Sequence, residues 1–307
     1  MTTKIIVIMK NALQIAFSIV AAGGIVFCIR AQDTNAGLLA GQETAEKGDP
    51  KTQYELGRKY ANGLGVDRDY AKAVGYLRQA ADQGYPDAEV LLGSLYGQGR
   101  GVPRNVATAV SWYRKAADQG DALAEYAVGN FYSTGRGVTN DMAQAIQWWR
   151  KAAAQDKIEA EAALGQVYLT PAPPYGTNFL NYPEAVRWLT KAANQGSVEA
   201  MNNLGVAYEH GFGVERDYRA AANWYRSSAL KGNAQAQNNL GELYYYGRGF
   251  DRDLEQAYAW FKLSASRGNT FGRVSLDNLQ HFSTITSNEV AEAEQKLVEI
   301  QKQIPAK

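Results

Sequence analysis

Ser228, with Lys231 three residues on, gives the chain an S-x-x-K, the spacing at which a lysine activates a serine nucleophile. That chemistry also needs an oxyanion hole and companion motifs, and the sequence supplies none. Ser228 stands where equivalent stretches carry Ala80, Ala116, Ala152 and Ala192, so it reads as a small packing residue. His210 and His281 are far apart, and neither motif nor spacing assigns them to a metal. Cys28 is the only cysteine, which leaves the rest of the chain without thiol chemistry, a disulfide or a cysteine-based zinc site. Paired glycines recur at Gly63 and Gly65, Gly99 and Gly101, Gly135 and Gly137, Gly211 and Gly213, and Gly247 and Gly249. None continues into the Gly-Lys-Ser/Thr of a phosphate loop or a G-x-G-x-x-G after a strand, so they are expected to supply positive φ in tight turns. Catalytic residues, cofactor and metal are therefore all assigned as none.

The elements that hold these residues repeat. The glycine after the Leu of a Leu-Gly pair (Val in the third copy) falls at Gly57, Gly93, Gly129, Gly165, Gly205 and Gly241, a step of 36 residues with one step of 40. A period this long marks a solenoid. Six units are expected at 49–84, 85–120, 121–156, 157–196, 197–232 and 233–268, each a pair of antiparallel helices. The first helix carries Ala, Leu-Gly and Tyr on one face, as in Ala88, Leu92, Gly93 and Tyr96. Glycine inside a helix costs about 0.5–1 kcal/mol relative to Ala, so six in register imply a helix approach too close for a Cβ.

The second helix opens on Asp69, Asn105, Asp141, Asn181, Asp217 and Asp253, read as N-caps rather than catalytic carboxylates. Asn181 with Glu184 has the spacing of a capping box. A ladder of Tyr76, Trp112, Trp148, Trp188, Trp224 and Trp260 follows and is expected in the interior. The fourth unit has an insertion between Tyr168 and Asn181, expected as a surface loop. After Gly268 the repeat decays into a half unit, 269–307, in which Thr286 and Glu289 cap a closing helix with Val290, Ala293, Leu297, Ile300 and Ile304 on one face.

Residues 1–31 stand outside the array. Lys4 and Lys10 precede an uncharged run from Asn11 to Ile29, with Ala31 after it, the plan of an export signal. An uncleaved membrane anchor is the alternative, since the run approaches the ~20 residues that span a bilayer. Met9-Lys10 opens the same pattern, which leaves the start at Met1 or Met9. Residues 32–48 are expected to form a capping helix. The localisation this implies is periplasmic or extracellular, with membrane contact only through 1–31. The 32 basic and 31 acidic residues give a formal charge of +1 with no like-charged run, so a nucleic-acid footprint is absent.

The units resemble Sel-1-like repeats, relatives of the tetratricopeptide repeat: Leu-Gly-x-x-Tyr, Gly-x-Gly-Val, Trp-Tyr and Lys-Ala-Ala-x-Gln-Gly recur over about 220 residues. The resemblance implies an all-α, α/α superhelical solenoid whose first helices line a concave face that binds a protein or peptide. It further implies an adaptor without catalysis, with an envelope signalling or export assembly as the alternative setting and a β-lactamase-like hydrolase as a remote one. On the first helix, positions 3, 6, 10, 13 and 14 of each unit vary while the framework repeats. The candidate binding residues there are Tyr54, Arg58, Tyr126, Asn130, Asn202, Glu209, His210, Asn238, Glu242, Tyr245 and Tyr246. Tyr offers contact area at low entropy cost, and Asn both donates and accepts toward a peptide backbone.

Overall fold

The computed structural model describes residues 43–171, 179–282 and 285–304. The chain divides into two compact units, one up to Gln119 and one from Gly120 onward. Among the described residues every regular element is helical. In the first unit, α1 (Pro50–Asn62) and α2 (Tyr70–Ala81) form hairpin 1, and α3 (Pro86–Gln98) and α4 (Val106–Asp118) form hairpin 2. The second unit holds hairpin 3, α5 (Ala122–Thr134) and α6 (Met142–Ala154), and hairpin 4, α7 (Ile158–Leu169) and α8 (Tyr182–Asn194). Hairpin 5 follows with α9 (Val198–His210) and α10 (Tyr218–Leu230), then hairpin 6 with α11 (Ala234–Tyr246) and α12 (Leu254–Ser266). Two further helices end it, α13 (Thr270–Phe282) and α14 (Ser287–Gln303).

Local chemistry starts and stops these helices. All six expected cap residues accept first-turn amides with their side chains, each worth about 1 kcal/mol. At Asn181 only half of the capping box forms. Its Oδ1 accepts from the Glu184 amide at 3.2 Å, but the Glu184 carboxylate takes Arg187 at 2.8 Å and Trp188 Nε1 at 3.0 Å instead of reaching back. The complete box is at Thr286 and Glu289. The paired glycines all have positive φ. In hairpins 2 and 5 the second of the pair also seats the turn: a Cβ at Gly101 or Gly213 would enter the backbone at Tyr70 or Tyr182, where the preceding hairpin's second helix begins, whereas one at Gly65 would meet nothing within 4 Å.

The Leu-Gly glycines do what their register implies, and the structure names the group they accommodate. A Cβ at Gly57 would lie 2.6 Å from Leu77 Cγ, at Gly165 2.5 Å from Leu189 Cγ, and at Gly241 2.6 Å from the Phe261 ring. Gly93, Gly129 and Gly205 face Tyr113, Trp149 and Tyr225 in the same way. This filler is one residue beyond the expected ladder, and the ladder itself is only partly interior. Trp148 and Trp260 are buried, whereas Tyr76, Trp112, Trp188 and Trp224 are half-buried. One helical position is 100° of rotation: with the next residue filling the space over the glycine, these rings come to the rim. Cations stack on them there, Lys115 Nζ 3.7 Å above Trp112 and Arg187 4.6 Å above Trp188.

A polar lock closes the far end of each hairpin. In hairpins 1 to 4 the Gln of the Gln-Gly or Gln-Asp ending reaches a buried polar residue of its own first helix: Gln83 to Gln53 at 2.8 Å, Gln119 to Glu89 at 2.9 Å, Gln155 to Glu125 at 2.9 Å, and Gln195 to Glu161 at 2.8 Å. In hairpins 5 and 6, Lys231 and Arg267 replace that Gln, and serine makes the tie. Ser228 Oγ donates to the Val198 carbonyl at 2.7 Å and Ser264 Oγ to that of Ala234 at 2.6 Å.

At the C-terminal end α14 packs on α12 through buried Ala293, Leu297 and Ile300, with Val290 and Ile304 partly buried. At the N-terminal end residues 43–46 are helical, Ala45 is buried and its carbonyl accepts from Gln53 Nε2 at 2.9 Å. The expected signal or anchor (1–31), the start of the lead-in helix and the core of the fourth-unit insertion (172–178) lie outside the described residues. No described helix is long and apolar enough to cross a membrane.

Candidate interaction surface

The second unit turns one face of α5, α7, α9 and α11 outward. Positions 3, 10 and 14 of each repeat lie on it, with Glu159, Glu199, Gln166, His210 and Tyr246 exposed and Asn130 and Glu242 half-buried. Positions 6 and 13, about 60–80° further round the helix, turn toward neighbouring helices. That rotation corrects the expected stripe. Asn202, Glu209 and Asn238 are buried, Asn238 to 1% exposure, and serve packing rather than an open face.

These buried groups form one polar layer between hairpins 5 and 6. Tyr225 donates to Glu209 at 2.8 Å, and Arg248 pairs with the other carboxylate oxygen at 3.0 Å. Asn239 Nδ2 donates to Asn202 Oδ1 at 3.2 Å, and Asn238 Nδ2 to Glu242 at 2.8 Å. Burial pushes the Glu242 carboxyl up from its ordinary range, and the Glu209 charge adds to this. The Asn238 bond and Arg248 oppose it. Burial and Glu209 likewise raise the Tyr225 phenol, which stays protonated as the donor.

The remaining candidates are more accessible. Tyr245 is half-buried and meets Tyr246 edge-on at 4.9 Å, and Tyr246 is 59% exposed under Arg248. His210 is exposed and stacks on Phe212 at 5.3 Å. Asn130 is engaged, accepting from Trp149 Nε1 at 3.0 Å. In the first unit, the half-buried Tyr54 packs on Tyr85 at 5.3 Å, and exposed Arg58 pairs with Glu55 at 2.7 Å.

Tyr126 is different, because it lines a groove of ≈ 560 Å³ across the first helices of hairpins 3, 4 and 5. Its floor is Ile158, Ala162 and Ala163, and Glu159, Gln166 and Glu199 stand around it. Along the groove hairpin 4 has the small pair Ala162-Ala163 where hairpins 5 and 6 have Asn202-Asn203 and Asn238-Asn239, and Asn203 stands at its hairpin 5 side. Sequence reasoning missed Ala162, Ala163, Gln166 and the tie from Tyr225 to Glu209. The readable signal was Asn-Asn-Leu-Gly twice against Ala-Ala-Leu-Gly once.

The geometry suits non-covalent recognition. Ser228 is fully buried and hydrogen-bonded to a main-chain carbonyl, so the S-x-x-K is part of the hairpin lock and not an exposed nucleophile. No cluster of metal-ligating side chains occurs among the described residues.

The Sel1 repeat profile matches residues 50–85, 86–121, 122–157, 158–197, 198–233 and 234–269. Among solved structures, the chain is similar to a protective antigen present in uropathogenic Escherichia coli strains that displays an SLR fold, at 36% identity and a TM-score of 0.72. That likeness covers 85% of this chain and 56% of the antigen, so this chain spans little more than half of that relative. It is also similar to a Sel1 repeat protein from Oxalobacter formigenes, at 32% identity and a TM-score of 0.67, covering 83% of this chain and 97% of the other. No curated protein matches. Six matched repeats over most of the chain, in an all-α array of helix-turn-helix units, make it a member of the Sel1 repeat family.

Proposed function

We propose that this protein is a non-catalytic scaffold that binds a protein or peptide on the face formed by its first helices. Sel1 repeat proteins generally act as protein-interaction scaffolds and are typically non-catalytic. The observation that carries the reading for this chain is the groove under Tyr126. It is concave and partly apolar, and it is bordered by amide and carboxylate side chains of the kind that hydrogen-bond a polypeptide backbone. Tyr246, Gln166 and His210 extend the accessible polar and aromatic surface along the same helices, as recognition surfaces do. The working compartment in this reading is the bacterial envelope, reached through residues 1–31. N-terminal sequencing of the protein recovered from its host separates a cleaved export signal from an anchor.

The test is site-specific photo-crosslinking in native envelope extract, with a benzophenone amino acid in place of Tyr126 or Gln166 and, as the control face, Gln147 or Asn223 on the second helices. A discrete adduct from the first-helix positions alone is expected. Adducts confined to Gln147 or Asn223 would move the binding surface to the other side.

A further inference from the structure

We infer that the pocket between α10 and hairpin 6 is a separate site for a small organic anion, a carboxylate or phosphate carried on an apolar body. This goes beyond the scaffold reading and does not depend on it. The pocket measures ≈ 410 Å³, within the range of small-ligand sites. Arg219, Asn223 and Arg226 border it, spaced so as to share one face of α10. Its apolar side is Ala222 and Leu240, both buried, with the half-buried rings of Tyr244 and Phe250 4.3 Å apart. No described carboxylate lines it.

Neutral acceptors hold both guanidiniums in place. Arg219 Nε donates to the Gly249 carbonyl at 2.9 Å and Arg226 Nη2 to the Tyr244 hydroxyl at 3.0 Å, each reaching from α10 across to hairpin 6. Neither has a carboxylate within ion-pair distance among the described residues. Glu215 and Asp217 line an adjoining hollow, on whose edge Arg219 also stands, and Asp251 lines another. Asp217 Oδ1 is taken by the amides of Arg219 and Ala220 at 2.8 and 3.0 Å.

This pair of cations is peculiar to hairpin 5. At the place of Arg226 other hairpins carry Arg78, Arg114, Arg150 and Lys262, and Arg78 donates to Tyr96 as Arg226 does to Tyr244. That cation belongs to the repeat. Arg219 does not, since its place elsewhere holds Ala71, Ala107, Ala143, Pro183 and Glu255. The added guanidinium gives the pocket two forked donors of the shape that carboxylate and phosphate accept, with the Asn223 amide beside them. The ligand's apolar body covers Leu240, Tyr244 and Phe250. A ligand cation would meet two positive charges, and an uncharged ligand would forgo the charge-assisted bonds.

The test is isothermal titration calorimetry of the full chain with phenylacetate and phenyl phosphate, against benzylamine and benzyl alcohol as cationic and neutral controls of similar shape. Saturable one-site binding of at least one anion is expected, roughly millimolar or tighter and weaker with added salt. The preferred anion tells carboxylate from phosphate. Arg219→Ala installs the residue that hairpins 1 to 3 carry there, so circular dichroism should be unchanged while affinity falls by about tenfold or more. Phe250→Ala should weaken both anions by removing part of the apolar wall. Unchanged binding in Arg219→Ala would overturn the site, as would either control binding as well as the anions. Unchanged binding in Phe250→Ala would overturn the apolar body. If neither anion binds saturably the inference falls, and the scaffold reading, tested on the first helices, stands apart from that result.

Discussion

Hairpins 3 and 4 and hairpins 5 and 6 share one repeat plan and one compact unit, yet they use their polar residues in opposite ways. In the former pair the space above the Leu-Gly glycines is filled by Trp149 and Leu189, and the hairpin ends are locked by Gln155 and Gln195 on Glu125 and Glu161. Small Ala162 and Ala163 then leave a groove on the outer face. In the latter pair the filler Tyr225 carries a hydroxyl into a buried layer with Glu209, Arg248, Asn202 and Asn239, and serines make the locks. The polar residues that look most suited to recognition are consumed by packing there. The opening for a partner lies instead where side chains are small. Recognition capacity in such an array is set by what a position leaves empty as much as by what it carries.

The sharpest way to break this contrast is to empty each filler in turn. Trp149→Ala is expected to cost about 3–5 kcal/mol by urea denaturation, as aromatic truncations in a core do, and it strips Asn130 Oδ1 of its donor. Tyr225→Phe keeps the packing and removes only the hydroxyl, for an expected loss of about 1–3 kcal/mol from the buried Glu209 acceptor. Equal losses would mean that hairpins 3 and 5 are held by the same kind of interaction after all.

Adding a methyl is the next probe. A Cβ at Gly129 would lie 2.5 Å from Trp149 Nε1, so Gly129→Ala should destabilise by about 1–3 kcal/mol through overpacking. At Gly75 a Cβ meets nothing within 4 Å, so Gly75→Ala should stabilise by about 0.5–1 kcal/mol through helix propensity alone. Thermal melts of the two variants decide whether the repeated glycine is steric; a stabilised Gly129→Ala would show that it is not.

The smallest effect is pH-dependent. Burial raises the carboxyls of Glu125 in hairpin 3 and Glu242 in hairpin 6 above the ordinary Glu value. The folded state therefore holds their protons more tightly than the unfolded chain, and stability falls as pH rises from the unfolded Glu value through the folded one. Glu125→Gln and Glu242→Gln should each flatten that decline and raise the melting temperature at pH 7 relative to pH 4. A larger gain at Glu242, which shares its layer with a second carboxylate at Glu209, would sharpen the contrast between the hairpins.

Much of this architecture is legible along the chain. The 36-residue step, the caps, the paired glycines and the closing helix are local or periodic signals, and each appears where the sequence puts it. The Trp ladder and the binding stripe were legible only in part, because both depend on rotation about a helix axis. An error of one position is 100°, enough to exchange rim for interior at Trp112, and an offset of about 60–80° exchanges open face for sealed layer at Asn238.

The sequence by itself determined the number of hairpins, where each second helix begins and which glycines must remain bare, since backbone capping, positive φ and periodic burial are encoded within one repeat. Only the tertiary structure decided which polar residues face a neighbour and which face solvent. Asn202 meets Asn239 and Ser228 meets Val198 across separations of 37 and 30 residues. No local pattern specifies those partners, because they are set by how neighbouring helices turn against one another.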